Sequence, residues 1–191
     1  MAHKFNPKHL DKLDNPERRD KLPPVETLEK LGFEAKDILV DIGAGIGYFT
    51  IASQEITKGL VPTYALDTSS DMLINLKARE IEITGKNHIQ TILTDEYDFK
   101  LSKGVATFVL LVNVLHEIDD KTIFIRHIQQ ILKEHGKVAI IDWKKIEMPE
   151  GPPLKHRISV EETKKMLIEL GFRIEKSLEF GTELYGLVAT K

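Results

Sequence analysis

The sequence predicts an α/β fold: a doubly wound, three-layer sandwich whose mostly parallel sheet is covered by helices on both faces and finishes with an antiparallel C-terminal strand. Three observations carry this. Beyond Gly32, short apolar runs alternate with amphipathic stretches, the pattern of strands and helices wound around a parallel sheet. One run, VATFVLLV at 105–112, is apolar on both faces, as a central strand covered from both sides must be. The tail, FRIEKSLEF and LYGLVATK around the turn residues GTE, reads as a hairpin.

Each element has its own signal. DILVDI (37–42) is the first strand, VPTYALD (61–67) the second and HIQTIL (88–93) the third. The run at 105–112 is the fourth, and KVAIIDW (137–143) the fifth. Phe124, Ile128, Ile131 and Leu132 form one helical stripe that ends before Gly136. Ser159 and Glu162 make a capping box, Val160, Thr163, Met166, Leu167 and Leu170 follow at helical spacing, and Gly171 closes that helix. Ahead of the sheet, residues 12–33 read as one or two short helices interrupted by Pro23 and Pro24.

Composition bounds the function. With 191 residues, 41% hydrophobic and 30% charged, the chain suits one globular domain with a sizeable core. A formal net charge of −3 gives no global field to attract nucleic acid or an anionic membrane. The absence of cysteine excludes disulfides, thiolate metal sites and thiol-dependent acceptor chemistry, and fits a reducing compartment. Neither a signal peptide core nor an apolar run of spanning length is present, so a soluble, cytoplasmic protein is expected.

The informative stretch is VDIGAGIGYFT at 40–50, which puts a glycine turn between the first strand and a helix. That turn lies at the carboxyl end of a parallel strand, where ligands bind in open sheets. A structural turn, a nicotinamide or flavin site and another nucleoside cofactor all compete for it. The dinucleotide fingerprint G-x-G-x-x-G fails in register, because the third glycine arrives early at Gly47 and Tyr48 stands where glycine belongs. No Gly-Lys-Ser/Thr follows, which removes the P-loop.

The string from Asp41 to Gly47, D-I-G-A-G-I-G, resembles the D-x-G-x-G-x-G motif of class I S-adenosylmethionine-dependent methyltransferases, which have a Rossmann-like fold. The resemblance extends to Asp67 closing the second strand, to LTDEYDF at 93–99, to LLVNVLHEIDD at 110–120 and to ILKEHGKVAIIDW at 131–143. Within that superfamily it is most similar to the small methyltransferases related to the ubiquinone and menaquinone biosynthesis group. The resemblance implies S-adenosylmethionine as cofactor and S-adenosylhomocysteine as product. It further implies a domain at 31–191 and a role for each matching residue.

Asp41 is expected to steady the loop of Gly43, Ala44, Gly45 and Gly47 and to face the methionine ammonium. Asp67, followed by Thr68, would accept from the ribose hydroxyls, since an ionised carboxylate is acceptor-only. Asp95 or Glu96 would face the adenine amino group beside Met72, and Asn113 would help hold the methionine portion. Each has a structural alternative: Asp67 a helix cap, Met72 a core residue, Asp95 a solvated acid. His116, just past the fourth strand, is the candidate base for a protonated acceptor, or a satisfied structural histidine. Asp142 and Trp143 could line the acceptor cleft. Lys155, His156 and Arg157 could receive an anionic acceptor.

Residues 1–30 are expected to form a helical lid over the cofactor, with Phe5 or Leu13 excluding water. The expected partner is a small-molecule acceptor, with no nucleic acid, no membrane span and a second copy of the chain as a further candidate. A non-catalytic cofactor-binding module that works through a protein partner is the alternative function.

Overall fold

The computed structural model describes residues 13–191. Two short helices open it, α1 (Pro16–Lys21) and α2 (Pro24–Leu31). Asn15 caps α1, its Oδ1 accepting the Arg18 N–H at 2.8 Å, and a proline at the start of each helix occupies a position where a missing N–H costs nothing. There follow β1 (Leu39–Ile42), α3 (Tyr48–Thr57), β2 (Thr63–Asp67), α4 (Ser70–Thr84), β3 (Gln90–Leu93), β4 (Ala106–Val112), α5 (Lys121–Ile131), β5 (Leu132–Trp143), α6 (Val160–Glu169), β6 (Arg173–Phe180) and β7 (Leu184–Thr190). The first four strands end where the sequence predicts. β5 starts earlier than its apolar run: its ladder to β4 pairs Leu132 with Ala106, then resumes only at Lys137, and Lys133, Glu134 and His135 bulge out to solvent between.

The sheet order is β3-β2-β1-β4-β5-β7-β6, and β7 runs antiparallel to both of its neighbours. The last strand in the chain is therefore not the last in the sheet. It is inserted between β5 and β6, and β6 forms the edge. The order reverses direction between β1 and β4, which makes their carboxyl ends the natural crevice of the fold.

Each face of the sheet has its own core. On one, Val40, Val109, Leu111 and Ile140 pack against Phe124, Ile125 and Ile128 of α5 and Leu167 of α6. On the other, Leu39, Phe108, Leu110 and Ile141 meet Tyr48 and Phe49 of α3 and Leu28 and Leu31 of α2. Leu76 of α4 joins Ile51 and Ala65 beside them.

The expected lid divides at this point. Leu28 and Leu31 are 0% exposed, each burial being worth about 1.5–3 kcal/mol, so α2 is built into the core. Val25, Leu28 and Leu31 recur on one helical face, which packs against the sheet. Among the described residues, 13–21 stay outside the core. Phe5 and the rest of 1–12 lie outside the described residues. Among those described, no helix is long and apolar enough to cross a membrane.

Candidate functional site

The carboxyl ends of β1, β2 and β4 converge on the glycine loop. Gly43 and Ala44 donate their N–H groups to Leu66 O at 2.8 and 3.0 Å, which ties the loop to β2. Gly43, at φ 72°, lies so close to Val114 that an added Cβ would come within 2.4 Å of its Cγ2. This glycine is required by the protein's own packing across the crevice. Gly45 differs. Among the described residues a Cβ there would meet only Leu13, at 3.6 Å, so its backbone faces a cradle that a ligand can approach. Gly47 initiates α3 at φ 79° without any side-chain cap.

The acids around this cradle have distinct settings. Asp67 is half-buried at the end of β2; its Oδ2 accepts the Gly45 N–H at 2.8 Å and its Oδ1 the Ser69 N–H at 2.9 Å. It therefore holds Ser69, the residue that caps α4, and also braces the loop, and a carboxylate has about four acceptor sites, enough for further donors. Burial raises its pKa, against the lowering by its N–H donors. Asp41 is 4% exposed and holds the Thr50 hydroxyl at 2.5 Å. Burial pushes it up to about 7; the Thr50 hydrogen bond and the Arg18 charge oppose that, and the Asp67 charge adds to it. Asp41 thus braces α3 rather than the glycine loop directly.

Other predicted residues separate. Thr68 is exposed, and Met72 is 4% exposed on α4. The Asp95 side chain is 83% exposed, whereas Glu96 is half-buried and accepts from the Tyr97 hydroxyl, which in turn accepts the Asp120 N–H at 2.9 Å. Asn113 takes a left-handed turn at φ 58° after β4, and its buried Oδ1 has no hydrogen-bond partner. An orphaned acceptor at the mouth of the crevice is what a donor-bearing ligand would satisfy.

His116 lies on a 3₁₀ turn, Leu115–Glu117, and is 6% exposed. Its partner is Asp142 at the end of β5, 1% exposed, which takes the ring Nδ1 at 2.7 Å on Oδ1 and the His116 N–H at 3.0 Å on Oδ2. The carboxylate selects the tautomer protonated at Nδ1 and leaves the Nε2 lone pair as the basic position. Asp142 is therefore a fixed orienter of His116, not a wall of the acceptor cleft. Asp120 caps α5, accepting the Ile123 N–H at 2.9 Å.

The expectation for Arg157 fails. It is 5% exposed, and it donates to the carbonyls of Pro152, Ile146 and Glu150, each at 2.7 Å, while lying 5.7 Å over the Trp143 ring. These contacts staple the β5–α6 loop and leave no fork for an anion. The loop borders a cleft of about 620 Å³ whose walls include Ile146, Met148, Pro152, Pro153 and Leu154. Among the described residues no three His, Asp or Glu side chains gather to hold a metal ion.

Comparison with known proteins agrees with this geometry. The family described as a methyltransferase domain matches residues 17–175. The chain is similar to a SAM-dependent methyltransferase from Aquifex aeolicus, with a TM-score of 0.89 and 25% identity over 98% of this chain and 99% of that one. It shares its fold with magnesium protoporphyrin IX methyltransferase from Synechocystis, solved with bound SAM (TM-score 0.69, 17% identity, 92% and 79% covered). It also shares it with the [4+2]-cyclase SpnF (TM-score 0.75, 13% identity, 100% and 86% covered). No protein of curated function matches the sequence.

Proposed function

The chain belongs to the methyltransferase domain family, and from that premise we propose that it transfers the methyl group of S-adenosylmethionine to a small-molecule acceptor. The observation that carries the reading is the cradle at Gly45, whose N–H is held by the Asp67 carboxylate and where, among the described residues, an added Cβ would meet only Leu13. The cofactor has no phosphate, so carboxylates and backbone groups suit it better than a basic pocket. Asp67 would take the ribose hydroxyls on its remaining acceptor sites. Asn113 Oδ1, buried and unfilled, suits the methionine ammonium. Glu96, half-buried, suits the adenine amino group better than exposed Asp95.

S-adenosylmethionine, when bound, supplies an electrophilic methyl on a sulfonium. The protein's task is then alignment and exclusion of water, with a base only where the acceptor must lose a proton. His116 Nε2, oriented through Asp142, would serve as that base.

The test offers the purified protein S-adenosylmethionine with a panel of quinone precursors, phenols and amines and reads S-adenosylhomocysteine. Turnover with at least one acceptor is expected, and His116→Ala should cut it roughly 10²-fold while cofactor affinity stays nearly unchanged. A second reading, a non-catalytic binding module acting through a protein partner, is favoured by the near-complete burial of His116. Tight S-adenosylhomocysteine binding without product from any acceptor would favour it.

A further inference from the structure

One cation stands beside the crevice. Arg18, on α1, lies with its guanidinium carbon 4.9 Å over the ring of Tyr48. Tyr48 is itself fixed: its hydroxyl donates to Leu22 O at 2.8 Å, and Phe49 packs edge-on at 5.0 Å. The chain leading into α1 also reaches the cradle, since Leu13 is the residue that overhangs Gly45. Arg18 is thus held at the rim of the glycine loop, close enough to buried Asp41 for their charges to interact.

Its hydrogen bonding is incomplete. The Nε–H of Arg18 is buried and has no hydrogen-bond partner among the described residues. Asp14, an acid whose charge reaches Arg18, is committed elsewhere: it takes Arg19 at 2.6 and 2.7 Å and also pairs with Arg79 of α4. A buried, unfilled donor on a guanidinium is costly, and a carboxylate is the partner whose geometry fills it through two parallel hydrogen bonds. The ligand proposed for this crevice carries one carboxylate, on its amino acid portion.

We propose that Arg18 is the receptor for that carboxylate, so that α1, a helix outside the sheet, completes the cofactor site. This assignment rests on the S-adenosylmethionine reading. It gives α1 a contact that exists only with ligand bound, which is what a ligand needs in order to bias its position. The Tyr48 ring holds the guanidinium in place, and Asn113 Oδ1 remains the acceptor for the ammonium of the same zwitterion.

Two ligands separate this role from a packing role. S-adenosylhomocysteine carries the amino acid portion; 5′-methylthioadenosine retains the adenosine and sulfur and lacks it. Titration calorimetry of Arg18→Gln should show affinity for S-adenosylhomocysteine reduced about 10- to 100-fold, with 5′-methylthioadenosine bound as by the unsubstituted protein. α1 buries no residue, so the substitution leaves the core intact, and retained 5′-methylthioadenosine binding verifies that. Equal losses for both ligands, or undiminished S-adenosylhomocysteine affinity, would overturn the assignment. Failure of the unsubstituted protein to bind either ligand would instead overturn the cofactor reading beneath it.

Discussion

Asp41 sits two residues before the glycine turn, almost without access to water, with the Thr50 hydroxyl on its carboxyl group. Burial raises its pKa to about 7. In the unfolded chain an aspartate titrates near 3.9, so the folded state binds this proton more tightly. Stability from this site is therefore complete below about pH 4, declines as the pH climbs toward 7 and is gone above it, an effect of a few kcal/mol. Asp41→Asn should abolish that slope, so its melting temperature should improve relative to the parent between pH 5 and 8. A difference between the two that is the same at both pH values would show that Asp41 is already ionised when folded. At this scale the sequence carries what is local. The glycines and acids of the motif are legible because their spacing is short. Asp142 lies 26 positions from His116, and the carbonyls that hold Arg157 belong to a loop wrapped back on itself, so only the fold brings them together. Arg157 looked like an anion receiver because charge is visible in a sequence and burial is not.

The N-terminal elements follow the same division between pattern and partner. Both prolines and the short helices were legible, and the one-sided face of α2 was present in the spacing of Val25, Leu28 and Leu31. What could not be read was the surface that receives that face, which is made by Phe108, Leu110 and Ile141 from strands far along the chain. α1, with no buried residue, is attached by polar contacts: Asp14 to Arg79, Lys21 to Glu183 at 3.0 Å, and Arg18 on Tyr48. The solvent-accessible Lys21–Glu183 pair contributes at most about 1 kcal/mol, and only the Asp14–Arg79 pair is largely buried, so α1, with no side chain in the core, is held less firmly than α2. We expect the segment ahead of Leu22 to act as a lid that closes over ligand. Hydrogen exchange should show protection across residues 3–19 on adding S-adenosylhomocysteine, with little change in α2. Exchange there that is rapid and indifferent to ligand would reduce the segment to a tail.

Over the whole molecule, the site depends on how the sheet is closed. Its parallel half, β3-β2-β1-β4-β5, was written in consecutive strand and helix signals, and it delivers the glycine loop, Asp67, Asn113 and Asp142 to one edge. The other half is assembled by β7, which inserts between β5 and β6 with seven paired residues on each side and no exposed residue of its own. The hairpin was legible, but the insertion was not, because hairpin signals specify a turn and leave open which of its strands meets the existing sheet. β6 is largely exposed and reaches β5 only through β7. Removing residues 184–191 would strip Tyr185, Leu187 and Val188 from the core and leave the Asp142 end of β5 as a bare edge. Two or three such side chains at about 1.5–3 kcal/mol each, with a ladder lost on both sides, approach the whole stability of a domain, about 5–15 kcal/mol. The truncated chain should therefore show no cooperative melting transition by circular dichroism and no S-adenosylhomocysteine binding. A transition retained within about 5 °C of the parent would mean that the parallel half folds alone and that β6 and β7 are an addition to it.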